Sequence, residues 1–117
     1  MGKSRFAKPD QVFSQNLVAG ALIFTTTTPN NRQFHLDQIV FHFTVSVSET
    51  ITITLDSIKG SNYDTVIQEA VLVNETDYVF RPQGDAILNA GDEIKVQCTN
   101  SGGVGVCYGI VKTSEVS

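Results

Sequence analysis

The side chains able to do chemistry in this chain are few. Its 117 residues include two cysteines, two histidines and 12 carboxylates. Cys98 and Cys107 flank the glycine-rich run Asn100-Ser101-Gly102-Gly103-Val104-Gly105. A hairpin centred near Gly102-Gly103 would bring them close to facing one another. A disulfide is conceivable there, whereas synthesis in a reducing cytoplasm favours two free thiols packed as small apolar residues. Zinc takes four ligands at characteristic spacing. Two distant Cys, with His35 and His42 elsewhere, do not supply that set, so no metal site is expected.

His42 falls on the polar side of an alternating stretch, as a surface or interface histidine. A catalytic role would need a nucleophile or carboxylate brought to it by the fold, and nothing in the sequence marks one. Asp56, Asp64, Asp77, Asp85, Asp92 and Glu93 lie at expected strand ends and turns. Turn carboxylates ordinarily accept hydrogen bonds from nearby backbone N–H groups. A calcium site assembled from two loops is the functional alternative, unsupported by any DxDxDG loop. The glycine-rich run lacks the Lys-Ser/Thr ending of a phosphate cradle and opens a strand rather than a helix, so it reads as a hairpin turn. Asn74-Glu75-Thr76 is a glycosylation sequon that a chain without a secretory leader leaves unmodified. With no nucleophile–base pair and no paired carboxylates, the expectation is a protein that is not an enzyme and uses no cofactor.

The stretch that must organise the fold is Phe34–Asp56, FHLDQIVFHFTVSVSETITITLD. Apolar residues occupy alternate positions from Ile39 to Val47 and again from Ile51 to Leu55. A period of two places one set on a buried sheet face and the other on an open face. The short Ser-Glu-Thr break suits a hairpin between two neighbouring antiparallel strands. Phe34 and Leu36 alternate on even positions and Ile39 onward on odd ones, which predicts a β-bulge at Asp37-Gln38. Leu17–Phe24 is a continuous apolar run that fits one buried strand, with Gly20 marking a bulge or a close backbone approach, or else a short helix. Pro29 and two Asn make residues 25–31 a loop. Thr65–Val73 fits a strand and partly satisfies helical spacing. Tyr78–Phe80, Ala86–Leu88, Glu93–Cys98 and Val106–Val111 follow as short strands, with turns at Asn74–Asp77 and Ala90–Asp92. About eight strands with turn signals roughly every ten residues predict a single antiparallel β-sandwich of jelly-roll type. It spans residues 17–117 and follows an extended N-terminal arm over residues 1–16, with room for one short strand near Val12-Phe13.

Composition adds a charge division. Residues 1–36 carry Lys3, Arg5, Lys8 and Arg32 against Asp10, a net +3, whereas residues 37–117 carry four basic and 11 acidic side chains, a net −7. A basic arm on an acidic body can dock on a neighbouring acidic body or remain solvated. The acidic body argues against nucleic acid, whose phosphates demand clustered Lys and Arg. No apolar run approaches the ~18 residues that cross a bilayer. The first residues lack the hydrophobic segment of a secretory signal, so synthesis in the cytoplasm is expected.

Several pieces in order resemble one kind of protein: Phe34-His35-Leu36-Asp37-Gln38-Ile39, Thr52-Ile53-Thr54-Leu55-Asp56-Ser57, Tyr63-Asp64, Ala90-Gly91-Asp92-Glu93, Thr99-Asn100 and Tyr108-Gly109-Ile110. Together they resemble small β-sandwich virion proteins of tailed bacteriophages and prophages, over roughly residues 33–112. That resemblance implies a structural role in the virion: decoration or cementing of a capsid by a homo-oligomer, with a trimer favoured. The partner would be the major capsid protein or another virion protein. Contact would run through Lys3, Arg5, Lys8 and the loop that carries Arg32. The rival readings are a tail, collar or fibre component, and a carbohydrate-binding module using Tyr63, Tyr78 or Tyr108.

Overall fold

The structure, a computed structural model, describes residues 11–26, 33–84 and 86–115. Within them the alternation becomes nine strands and one 3-10 turn at Ser61–Tyr63. The strands are β1 (Gln11–Asn16), β2 (Leu22–Thr25), β3 (Phe34–Val47), β4 (Thr50–Asp56), β5 (Thr65–Val71), β6 (Glu75–Phe80), β7 (Ile87–Leu88), β8 (Glu93–Cys98) and β9 (Val106–Glu115). They form two antiparallel sheets. One runs β1-β9-β3-β6, with β7 pairing to β3, and the other runs β2-β8-β4-β5. The sheets pack face to face over a core that includes Ile39, Phe41 and Phe43 of β3, Ile51 and Ile53 of β4, and Val96 of β8. Each such side chain contributes about 1.5–3 kcal/mol by leaving water. The count is nine strands where about eight were expected, and β7 supplies only two residues.

β3 is the long central strand, and its change of alternation is a bulge as the sequence predicts. Its register against β9 shifts between Leu36 and Gln38, so both Leu36 and Ile39 point into the core. The short strand near Val12-Phe13 is present, runs over Gln11–Asn16 and joins the sandwich ahead of residue 17. Gln11–Asn16 pairs with β9 along its whole length and buries Phe13. These residues are therefore part of a sheet and not of an arm that ends at residue 16. Residues 1–10 lie outside the described residues.

The expected strand over Leu17–Phe24 is also corrected. Leu17 is fully buried, Val18 is exposed, and the chain turns before β2 begins at Leu22. Asn16 makes that turn: its side-chain Oδ1 accepts the Val18 N–H at 3.0 Å and its carbonyl accepts the Ala19 N–H at 3.0 Å. The turn carries the chain from one sheet to the other.

Two expected hairpins are sheet-to-sheet crossings. β3 and β4 lie in different sheets, as do β8 and β9. Cys98 and Cys107 therefore face the core from opposite sheets and are both free and buried. Burial pushes each thiol up to about 12; the Glu49 charge adds to this at Cys98, and Cys98 adds to it at Cys107. Such thiols stay protonated at neutral pH and act as packing groups.

Phe13 ties the two layers together. Its ring stacks on Phe24 of β2 at 5.1 Å and meets Phe41 edge-on at 5.5 Å. Gly109 of β9 pairs with both Phe13 and Phe41 and lies between them. Because it has no side chain, the Phe13 ring can lie across it and reach Phe41.

Candidate functional site

The register places two parallel rows of side chains on the outer face of the β1-β9-β3-β6 sheet. In the first, Val12 pairs with Ile110, Ile110 with Val40 and Val40 with Val79. In the second, two residues along each strand, Ser14 pairs with Tyr108, Tyr108 with His42 and His42 with Asp77. One row is aliphatic and the other can hydrogen-bond. With strands ~4.8 Å apart, each row runs about 14 Å across the sheet. The two rows line an open groove of about 590 Å³.

His42 and Asp77 form the polar end of the groove. His42 Nδ1 lies 2.8 Å from Asp77 Oδ1, with both side chains well exposed. The Thr76 hydroxyl donates to Asp77 Oδ2 at 2.9 Å. These bonds, His42's first and Thr76's second, with a smaller contribution from the His42 charge, hold the Asp77 carboxyl below the usual carboxylate range. Ser14 is on the same row but two strands from His42, about 10 Å of sheet away. Ser14, His42 and Asp77 therefore do not form a hydrogen-bonded relay, since base and nucleophile must approach within roughly 3 Å.

A second carboxylate organises a corner of the sandwich. Glu49 sits between β3 and β4 and is 2% exposed. Its Oε1 accepts the Thr99 hydroxyl at 2.7 Å, the Ser101 N–H at 2.9 Å and the Ser101 hydroxyl at 3.0 Å. Its Oε2 accepts the Gly102 N–H at 2.8 Å. Burial is the largest single influence on this carboxyl and pushes it up. The bonds from Thr99, Gly102 and Ser101 together outweigh burial and hold it below its ordinary value. The glycine-rich run thus does cradle an anion, but that anion is the chain's own Glu49.

The sequence-predicted sites divide as follows. Lys3, Arg5, Lys8 and Arg32 lie outside the described residues, as does Asp85. His42 is on the open face, as its place in the alternation implies. His35 lies elsewhere on β3, paired with Ile87 and Ser114. Asp77, expected in a turn, is in strand β6. Asp64 and Asp92 serve backbone turns: Asp64 accepts the Ser57 N–H at 2.8 Å, and Asp92 accepts the Ile58 and Asn89 N–H groups, each at 3.0 Å. No group of three His, Cys, Asp or Glu able to hold a metal occurs among the described residues. Of the tyrosines, Tyr63 is exposed on the 3-10 turn, and Tyr78 is engaged by Gln68 Nε2 at 2.9 Å. Only Tyr108 lies in the groove on the outer sheet face.

No protein-family model and no curated protein sequence matches the chain. Among solved structures, the crystal structure of PirA is similar, with a TM-score of 0.53 and 13% sequence identity, covering 95% of this chain and 96% of that one. At that identity the likeness concerns the fold alone, over nearly the whole length of both chains.

Proposed function

We propose that this protein is a virion structural protein of a tailed bacteriophage, made in the host cytoplasm, that decorates or cements the capsid as a homo-oligomer, favouring a trimer. The observation that carries the reading is the sidedness of its surface. One outer sheet face holds the aliphatic row of Val12, Ile110, Val40 and Val79. Residues on and just after the edge strand β5 expose Val66, Val71 and Val73. The opposite sheet face is polar along its middle, with Thr25, Lys95 and Thr54 in one row and Gln97, Thr52 and Glu69 in the next, and these rows end on the exposed Val66 and Ile23. Apolar surface concentrated on particular sides marks a protein that works by contact.

The strand orders support a jelly-roll reading. With the two-residue β7 set aside, eight strands divide four and four, and the chain passes repeatedly between the layers. That architecture serves both viral capsids and lectins. Self-association along the β5 side would cover an apolar edge that a small sandwich otherwise leaves open. The capsid as partner rests on the resemblance to virion proteins and on the charge division, with Lys3, Arg5, Lys8 and Arg32 as contact residues. A protein that binds only the assembled shell stabilises it by linkage.

The test is light scattering for solution mass, followed by co-sedimentation with purified heads of the encoding phage. A trimer that pellets with heads is expected, and removal of residues 2–10 should abolish pelleting. The deletion stops there because Gln11 begins β1. A monomer that ignores heads sinks the proposal. Full binding by the truncated chain removes the role of the basic arm.

A further inference from the structure

We infer that the groove on the outer face of the β1-β9-β3-β6 sheet is a binding site for a neutral saccharide. The sugar's hydroxyl edge would lie on Tyr108, His42 and Asp77, and its C–H face on Val40, Val79 and Ile110. The size is suitable, since a cavity of about 590 Å³ falls within the range of ligand sites.

The argument begins with hydrogen-bond chemistry. Ser14 and Tyr108 offer hydroxyls that both donate and accept, Asp77 offers only acceptors, and His42 offers its second ring nitrogen while Nδ1 is engaged by Asp77. A set that mixes donors and acceptors along one line matches a ligand whose own groups do both. Hydroxyls meet that requirement. Charge then narrows the class. The groove is lined by no Lys or Arg and by the one carboxylate of Asp77. Phosphate, sulfate and sialic acid would meet repulsion with no cation to compensate. The low position of Asp77 keeps that carboxylate ionised through the neutral range.

The aliphatic row supplies the remaining requirement. A pyranose has an apolar C–H face beside its hydroxyl edge, and here an apolar row runs alongside a polar one. Tyr108 is 49% exposed and combines ring surface with a phenolic hydroxyl in one side chain. The row length of about 14 Å suits a short oligosaccharide better than one ring. The opposite sheet face lacks this pairing: its rows mix Thr, Gln, Lys and Glu with Ile23 at one end and Val66 at the other, and hold no aromatic residue beside an aliphatic row.

The experiment is a titration of isotope-labelled protein, followed by amide chemical shifts. The probes are neutral oligosaccharides of glucose, galactose and N-acetylglucosamine, with 3′-sialyllactose as the charged comparison. At least one neutral sugar should give saturable shifts centred on Ser14, His42, Asp77 and Tyr108. Tyr108→Ala and Asp77→Ala should each weaken it tenfold or more while keeping the wild-type thermal midpoint. Thr52→Ala, on the other sheet face, should bind as wild type. The inference is overturned by any of three results: no saturable shift with any neutral sugar at about 10 mM, unaltered binding by both groove variants, or preference for the sialylated probe. Concentration-dependent shifts of the same residues without sugar would make the face a self-association surface and overturn it equally. Because no heads are present, this result and the co-sedimentation result can fail independently.

Discussion

Glu49 and Asp77 are both carboxylates that hydrogen bonds hold below their ordinary range, and their surroundings give them opposite uses. Glu49 receives four hydrogen bonds from Thr99, Ser101 and Gly102 in a corner where it is almost wholly buried. Those donors come from some 50 residues away in sequence, so the carboxylate fixes the β8–β9 crossing against the β3–β4 crossing. Asp77 receives a neighbour's hydroxyl and one imidazole on an open sheet face, and its oxygens keep lone pairs directed at solvent. A carboxylate that is saturated and buried holds the fold together. One that is partly satisfied and exposed is available to a partner. The contrast shows how to sort the acidic residues of this body: the number of bonded donors and the burial decide the role, and the lowered pKa alone does not.

The largest effect should follow from removing the buried member. Glu49→Ala deletes the acceptor of four charge-assisted bonds and loosens two crossings, and should cost about 3 kcal/mol of unfolding free energy. Urea denaturation of the variant measures it. A loss below about 0.5 kcal/mol would place the corner's stability elsewhere. The pH dependence sharpens the point. In the unfolded chain Glu49 takes up its proton near its ordinary 4.5, and in the folded chain only at lower pH. Its stabilisation is therefore complete above about pH 4.5 and is lost as pH falls through the folded value. The stability gap between wild type and Glu49→Gln should be widest at neutral pH and narrow on acidification. A gap independent of pH would mean that the carboxylate is not charged in the fold.

A smaller effect should come from beneath the groove. Gly109 lies next to Tyr108, but its vacant side faces inward, where a Cβ would overlap the Phe13 ring. That ring is held between Phe24 and Phe41 and has no free direction in which to retreat. Gly109→Ala should therefore cost roughly 1–3 kcal/mol by overpacking, read as a lowered thermal midpoint. Tyr108→Ala, one residue away on the outer side, should leave stability within about 0.5 kcal/mol. If both variants are equally stable, the inner and outer sides of β9 are not as distinct as the packing implies.

The sequence reveals which face each residue takes more readily than which strand it pairs with. Alternation from Ile39 to Leu55 identifies the buried side chains except at Val45, which is 43% exposed where the register against β6 shifts between His42 and Val47, and the parity change at Asp37-Gln38 locates the bulge before any pairing is known. Parity is the same whether the chain folds back as a hairpin or crosses to another sheet. The β3–β4 and β8–β9 connections were therefore misread for one physical reason. Glu49 continues the inward parity of Val47 and Ile51, and that was the available sign that it enters the core. The groove was half legible. His42 was identifiable on the open face, but its contact with Asp77 needs the β3–β6 pairing, which joins residues 35 apart and leaves no local pattern. The apolar stretch Leu17–Phe24 misled because unbroken hydrophobicity carries no period. Only the Asx turn at Asn16 divides it.

The smallest expected effect is also the one that tests the exposed half of the comparison. Asp77→Asn keeps the size and one acceptor oxygen but removes the charge that faces His42. Both side chains are more than half exposed, so water can replace what is lost and salt screens what remains. The urea unfolding midpoint should therefore match that of wild type, with little further change between low and high salt. The His42 ring should respond instead, because its Nδ1 partner is changed: its nuclear magnetic resonance side-chain shifts at fixed pH should move in the variant while those of His35 stay put. A large loss of stability with unmoved His42 shifts would reverse the assignment, making Asp77 a second structural carboxylate and the open face part of the scaffold.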